Sequence, residues 1–200
     1  MNYKSLVIIL FGGVLLILFM LAFVSSMYKD MLQIRLEMEY TMITVINDEM
    51  HVKCILSYHN PERKNVPKHF CFPVAYADTF STPVIKLIWM PNIIEQPSLS
   101  EKGEMIEWSG SLGEQQRADI KIEYSQTILR NQVVFPLVSP VFPRVNLERV
   151  SYRVVLPYTA KNIRCSYPDD VSIQERDGKV IVYFDKTQFT PDKDLIVEWD

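Results

Sequence analysis

VSIQERDGKVIVYF, residues 171–184, is the segment that decides the fold class. Apolar and polar residues alternate on both sides of the dipeptide Asp177-Gly178. This dipeptide is favoured in the tight turns that join antiparallel strands, because both of its residues accept a positive φ angle. The segment therefore predicts a β-hairpin near the end of the chain.

The same period-two pattern recurs upstream. Residues 118–124, ADIKIEY, alternate strictly, and residues 34–40, IRLEMEY, do the same. About ten such segments, separated by turn residues and with almost no helical periodicity, are typical of a mainly β domain. We expect an antiparallel β-sandwich, with two sandwich-like halves as an alternative. Residues 91–102, PNIIEQPSLSEK, would then be the boundary between the halves.

A different pattern occupies the N-terminal region. The stretch Leu6–Val24, LVIILFGGVLLILFMLAFV, contains no charged residue. A helix of about 19 residues is about 28 Å long, close to the thickness of the hydrocarbon core of a bilayer. The stretch therefore predicts a transmembrane helix that anchors the chain. The anchor residues that we single out are Leu6, Phe11, Gly12, Gly13, Phe19 and Val24.

The predicted organisation has three parts. Residues 1–27 form the N-terminal tail and the transmembrane helix, residues 28–36 a juxtamembrane stalk, and residues 37–200 the β-sandwich domain. The apolar stretch is longer than the 7–15 residues that are usual in a signal peptide, which favours an uncleaved anchor. Cleavage after the small residues that follow Val24 is the alternative.

The position of the β domain follows from this anchor. Lys4 precedes the apolar stretch, whereas Lys29 and Arg35 follow it, so the charges near its ends do not decide the orientation. A short N-terminal tail followed by a long domain is typical of a signal-anchor. We therefore expect a single-pass protein of the cell membrane with an extracytoplasmic β domain. The lipid bilayer and another membrane or envelope protein are the expected partners.

The charge balance excludes one class of partner. The chain has 21 Lys and Arg residues against 24 Asp and Glu residues, and its formal net charge is −3. Nucleic-acid-binding domains usually carry a basic stripe that neutralises phosphates. No such stripe occurs in this sequence, and we expect no nucleic-acid partner.

Two cysteine and two histidine residues are candidate ligands of a metal ion. Cys54, His59, His69 and Cys71 are residue types that bind Zn²⁺, but their spacing matches no standard zinc finger. A third cysteine, Cys165, makes the count odd. Pairing of Cys54 with Cys71 stays open at this point, but thiols buried as small apolar residues are the favoured interpretation. We expect no bound metal and no cofactor.

The sequence also lacks the common catalytic motifs. The sequence contains no P-loop, no G-x-G-x-x-G, no G-x-S-x-G, no H-E-x-x-H and no C-x-x-C. A cysteine nucleophile would need a histidine and an orienting group nearby, and nothing local indicates them. We therefore predict no catalytic residue, and a non-enzymatic role is favoured over an enzymatic one.

One family resemblance covers residues 40–138. The segment Val45–Tyr58 is followed by Asn60-Pro61 and Phe72-Pro73, and later Glu107-Trp108 precedes the strand that ends near Gln126. This outline resembles the vault protein inter-alpha-trypsin domain, a β-sandwich of extracellular and complex-forming proteins. That family usually precedes a von Willebrand A domain, and no such domain fits this chain. The resemblance implies a binding or assembly module.

The expected function is accordingly that of a single-pass, membrane-anchored β-sandwich module that binds or assembles with other envelope or membrane proteins. Two alternatives remain. One is an envelope enzyme, a hydrolase or a thiol-dependent protein, with its site around Cys54–Cys71. The other is an accessory subunit of a membrane complex that uses the anchor helix as its interface.

Overall fold

A computed structural model describes residues 34–75, 80–139, 142 and 144–200. The predicted anchor, with Leu6, Phe11, Gly12, Gly13, Phe19 and Val24, lies outside the described residues. Within them, no helix is long and apolar enough to cross a membrane. Residues Arg35–Asp200 form one compact unit.

The described chain is built from thirteen strands, which confirms the prediction of a mainly β domain. Within the stretch 91–102, residues Ile93–Leu99 form a strand of a three-stranded sheet. The strands are β1 Arg35–Ile46, β2 Glu49–His59, β3 Val66–Pro73, β4 Val84–Trp89, β5 Ile93–Leu99, β6 Met105–Leu112, β7 Arg117–Thr127, β8 Gln132–Phe135, β9 Leu147–Pro157, β10 Arg164–Cys165, β11 Val171–Arg176, β12 Lys179–Phe189 and β13 Leu195–Glu198.

Seven strands form the large sheet, in the order β11-β12-β9-β1-β2-β7-β4. Neighbouring strands are antiparallel except β1 and β9, which run parallel with Tyr40 opposite Ser151. The expectation of a purely antiparallel sheet is therefore wrong at this one pair. The reason is topological: about a hundred residues separate β1 from β9, and this long connection lets the chain return to the sheet in the same direction.

The hairpin predicted for residues 171–184 is confirmed. Asp177 and Gly178 have φ angles of 51° and 68°, and they join β11 to β12 in the predicted hairpin. Asn47 and Asp48, with φ angles of 50° and 59°, join β1 to β2 in the same way. Residues that tolerate positive φ thus set the register of both hairpins.

A β-bulge in β1 alters the face of the sheet that its residues occupy. Leu36 lies opposite Tyr58 but Met38 lies opposite Ser57, so one extra residue is inserted in β1. After the bulge the buried positions are Glu39, Thr41, Ile43 and Val45, whereas Met38 is 41% exposed. Sequence alternation alone would have placed Met38 and Tyr40 on the face of Ile34.

Two three-stranded sheets, β10-β13-β8 and β3-β6-β5, cover one face of the large sheet. The ring of Phe72 on β3 lies 6.3 Å from that of Tyr124 on β7 and 6.0 Å from that of Phe135 on β8. The ring of Phe135 in turn lies 5.5 Å from that of Tyr152 on β9. The hydrophobic core therefore lies on this side, which we call the inner face of the large sheet; the opposite side is the outer face.

Candidate functional site

An ion pair is buried at the inner face. The Nε and Nη2 atoms of Arg144 donate to the two carboxylate oxygens of Glu39 at 2.5 and 3.2 Å. Both side chains have no exposed surface. Removing two charges from water is costly, and only close pairing with further hydrogen bonds compensates for that cost. We call Glu39, Thr41, Cys54 and Arg144 the inner cluster.

The remaining donors of Arg144 hold the segment that precedes β9. Its Nη1 atom donates to the carbonyl oxygens of Pro136 and Leu137 at 2.9 and 3.3 Å. Its guanidinium also lies 4.4 Å from the centre of the Phe142 ring, a distance at which cation–π attraction operates. Arg144 thereby ties the loop between β8 and β9 to the centre of the large sheet.

Cys54 belongs to this cluster and is 1% exposed. The hydroxyl of Thr41 lies 3.1 Å from its sulfur atom. Burial, and after it the charge of Glu39, raises the pKa of the Cys54 thiol well above its ordinary value. Because the thiolate is the reactive form, a protonated and enclosed thiol is poorly suited to nucleophilic attack. The inner cluster thus brings together residues of catalytic type, but no substrate has access to it.

The other three candidates for metal binding have separate partners. His59 Nδ1 lies 3.1 Å from Glu37, and His69 Nδ1 lies 3.3 Å from the hydroxyl of Ser109. Cys71 is half-buried on β3, and burial, followed by the charge of Glu107, raises its pKa. Within the described chain no group of three or more His, Cys, Asp or Glu residues is placed to hold a metal ion. None of the three cysteines forms a disulfide.

The outer face carries large apolar side chains in contact with solvent. Met38, Ile46, Leu87 and Trp89 are 41–50% exposed, and all four belong to strands of the large sheet. The amine of Lys121 lies 5.3 Å from the ring of Trp89, its direct neighbour across β7 and β4. These side chains share the face on which no small sheet packs.

Charges on the outer face are paired near β2 and β7. Lys53 lies 3.3 Å from Glu123, and Lys86 lies 3.9 Å from Glu49. A hydrogen bond from Ser125, together with the charges of His51 and Lys86, lowers the pKa of Glu49. This half of the face thus satisfies its own charges.

The other half of the outer face holds a cleft with two arginines. The cleft has a volume of about 560 Å³, and its floor is formed by β2, β1, β9 and β12. Within the described residues, neither Arg149 nor Arg153 forms an ion pair, and the buried Nε of Arg153 has no hydrogen-bond acceptor. We call this site the outer cleft; the residues with outward side chains that line it are Met38, Tyr40, Ile55, Ser57, Arg149, Ser151, Arg153 and Asp185.

Register explains how the outer cleft is assembled. Ser151 lies opposite both Tyr40 and Asp185, and Tyr40 lies opposite Ile55. Arg149 and Arg153 follow on the same face two residues before and after Ser151, because side chains alternate along a strand. The alternation Arg-x-Ser-x-Arg was visible in the sequence, but it was not recognised there as a binding feature.

Comparison with known proteins places the fold but not a family. No protein-family model and no curated protein matches the chain. Among solved structures, a "putative nutrient binding protein" from Legionella pneumophila superposes with a TM-score of 0.58 at 12% identity, over 82% of this chain and 66% of that one. Two others are a two-domain M1 zinc metallopeptidase bound to L-arginine and native yeast LTA4 hydrolase.

The M1 metallopeptidase has a TM-score of 0.50 at 13% identity, over 82% of this chain and 42% of that one. The LTA4 hydrolase has a TM-score of 0.52 at 11% identity, over 86% of this chain and 29% of that one. At such identities the likeness concerns the fold alone. In all three proteins, the region that resembles this chain is only a part of a longer polypeptide.

Proposed function

We propose that this chain is a single-pass, membrane-anchored β-sandwich module that binds or assembles with another membrane or envelope protein. Leu6–Val24 is the anchor, the β domain is extracytoplasmic, and the outer face of the large sheet is the binding surface. The proposal concerns non-covalent recognition and assigns no catalytic step to the chain.

The observation that carries the proposal is the exposure of apolar side chains on the outer face. Met38 and Trp89 lie near the centre and the edge of the large sheet, and each is more than 40% exposed. Large apolar surfaces that are rimmed by polar residues typically mark interaction sites, and Trp and Met are enriched where proteins meet. A partner that covers this face would remove these side chains from water.

The comparisons support a modular role in one respect. The fold occurs as 29–66% of the length of three longer chains, so it is used elsewhere as a component. A component of this kind fits a protein that contributes a surface rather than a complete active site. What those proteins bind or cleave is not transferred to this chain.

The enclosed inner cluster gives less support to an envelope enzyme. A thiol-dependent site would need Cys54 to meet a substrate, whereas the Cys54 side chain is buried behind the small sheets. An accessory subunit of a membrane complex is a special case of the proposed function in which the anchor adds a second contact. The two contacts would reinforce each other, because tethering raises the effective concentration of the second one.

Site-specific photocrosslinking in intact membranes tests the proposed function. The full chain would carry a photoreactive phenylalanine analogue in place of Trp89 or, in a second variant, of Met38. The matched control has the analogue in place of Leu129, which is 65% exposed in a loop outside the large sheet. We expect one and the same crosslinked partner from the two outer-face positions and not from the control. Equal capture from all three positions, or no capture from the outer face, would contradict the proposal.

A further inference from the structure

We infer that the outer cleft is a carboxylate-binding site, and that the partner presents an acidic peptide segment to Arg149 and Arg153. The inferred site deepens the proposed function and depends on it, since it specifies the chemistry of the partner at one place on the outer face. The inference is based on unpaired charge, on the donors that share the cleft, and on its apolar wall.

Arg149 and Arg153 differ from neighbouring cations of the large sheet in their interaction partners. Several cations of the outer face have a carboxylate partner, as in the pairs Lys53–Glu123 and Arg117–Glu37. In the described chain, Arg149 and Arg153 have no such partner, although both line the same cleft. The guanidinium of Arg153 is supported instead by the ring of Tyr183, whose centre is 5.0 Å away. Ring stacking holds the group without using its hydrogen-bond donors.

Hydroxyl groups lie in the same cleft as the two arginines. Ser151 and Tyr40 contribute hydroxyls to the cleft. The hydroxyl of Ser57 already donates to Asp119 at 2.6 Å, so it offers the cleft an acceptor only. Guanidinium groups bind carboxylates through two parallel N–H donors, and neighbouring hydroxyls can complete the coordination of the oxygens. The donors of the cleft therefore match an anionic oxygen ligand.

The lining of the outer cleft favours a peptide carboxylate over a phosphate or a lipid headgroup. Asp185 lines the same cleft and offsets part of the positive charge of the two arginines. The apolar side chains of Met38 and Ile55 form the other wall and suit the aliphatic parts of a peptide.

Spacing also fits an extended segment. Arg149 and Arg153 are four residues apart on one strand, which corresponds to about 13 Å. An extended peptide with acidic residues at every second position repeats its carboxylates about every 6.6 Å on one side. Two of its carboxylates could therefore meet the two arginines at the same time.

Fluorescence anisotropy with a defined probe tests the inference on the full chain in a mild detergent. The probe is a fluorescein-labelled octapeptide in which glutamate and leucine alternate; a second probe has glutamine in place of each glutamate. We expect saturable binding of the glutamate peptide and at least about tenfold weaker binding to the Arg149→Gln/Arg153→Gln variant, because hydrogen bonds to charged groups are the strong ones. Arg176→Gln, which neutralises an exposed arginine of the β11–β12 turn, is the matched control and should bind like the unaltered chain.

Three further outcomes have defined meanings. A several-fold loss in Arg153→Lys would support a bidentate site, because lysine keeps the charge but not the forked donors. Equal binding of the glutamine peptide would overturn the inference. Arginine-dependent binding of a phosphoserine octapeptide or of phosphatidylglycerol vesicles, without binding of the glutamate peptide, would overturn it in favour of a phosphate ligand.

The crosslinking experiment separates this inference from the proposed function. If position 89 captures the same partner equally well in the unaltered chain and in the Arg149→Gln/Arg153→Gln variant, the proposed function holds and the carboxylate site is wrong. If the outer face captures nothing in the unaltered chain, the proposed function itself fails. If the unaltered chain captures the partner and the double variant captures less of it, the result supports both the proposed function and the carboxylate site.

Discussion

The two faces of the large sheet use arginine in opposite ways. On the inner face, Arg144 is enclosed and donates to both oxygens of Glu39 and to two backbone carbonyl oxygens. On the outer face, Arg153 reaches an open cleft, and its Nε has no acceptor among the described residues. The side chains are chemically identical, so the difference arises from their surroundings.

This contrast distinguishes a structural charge from one that is available for binding. A buried guanidinium must satisfy its donors within the fold, because no water can replace a missing partner. A guanidinium that lines an open cleft can offer donors to a ligand as well as to water. Arg144 therefore holds the loop before β9 in place, whereas Arg149 and Arg153 form no ion pair within the described residues.

The largest expected effect comes from breaking the inner pair. Arg144→Leu leaves the Glu39 carboxylate buried without a counter-charge, and loss of one partner of such a pair typically costs about 3–5 kcal/mol. We expect a corresponding fall in the free energy of unfolding, measured by urea denaturation of the full chain followed by circular dichroism. A loss below about 1 kcal/mol would mean that Glu39 is solvated or protonated in the variant.

A double variant provides the control for that measurement. Glu39→Leu combined with Arg144→Leu removes both charges, so the unpaired carboxylate disappears along with its cost. The double variant should be more stable than Arg144→Leu alone. If the two substitutions destabilise additively, the pair is not coupled as the geometry indicates.

An intermediate effect is expected at alkaline pH. Burial is the main cause that raises the pKa of Tyr124 above its ordinary value, and the hydroxyl has no hydrogen-bond partner in the described chain. Above about pH 10 the unfolded chain releases this proton while the folded chain retains it, so stability falls with rising pH. Each such tyrosine should contribute a slope of about 1.4 kcal/mol per pH unit.

Urea denaturation between pH 8 and pH 11 checks this slope. Tyr124→Phe should flatten it, and at pH 8 it should leave stability unchanged or slightly higher because an unpaired buried hydroxyl is removed. Tyr158→Phe removes a hydroxyl from an exposed side chain and is the matched control. The same change of slope in both variants would contradict the assignment to the buried face.

The smallest effect on stability belongs to the outer face. Arg149→Gln and Arg153→Gln break no ion pair with a described residue, and surface changes of this kind usually alter stability by less than about 0.5 kcal/mol. We expect unfolding midpoints close to that of the unaltered chain. A loss comparable to that of Arg144→Leu would show that the outer arginines are structural, and the contrast between the two faces would be lost.

The sequence anticipated much of the local structure. Asp177-Gly178 predicted its hairpin because backbone preference in a tight turn depends on only two residues. The alternation of apolar and polar residues predicted the strands, because it too depends on residues close together in the chain. The parallel pairing of β1 with β9 was not predicted, because strand order depends on contacts between distant segments.

The inner cluster could not be predicted from the same pattern. Glu39 belongs to an alternating segment and resembles a solvated strand residue, but the bulge after Leu36 turns it toward the core. Its partner, Arg144, is 105 residues away. The predicted metal candidates Cys54, His59, His69 and Cys71 likewise acquired separate neighbours when the sheets packed. The outer cleft had a local signal in Arg149, Ser151 and Arg153, but its other lining residues come from three further strands.

Three features are properties of the local sequence: the mainly β character, the tight turns, and the spacing that places both cleft arginines on one side of β9. These features follow from interactions between residues close together in the chain, which composition and periodicity record. The packing of distant strands buries Glu39 and pairs it with Arg144, and within the described residues it leaves Arg149 and Arg153 without an ion pair. Desolvation and charge pairing depend on which distant strands become neighbours. In addition, a single bulged residue changes the face of the sheet on which a side chain lies.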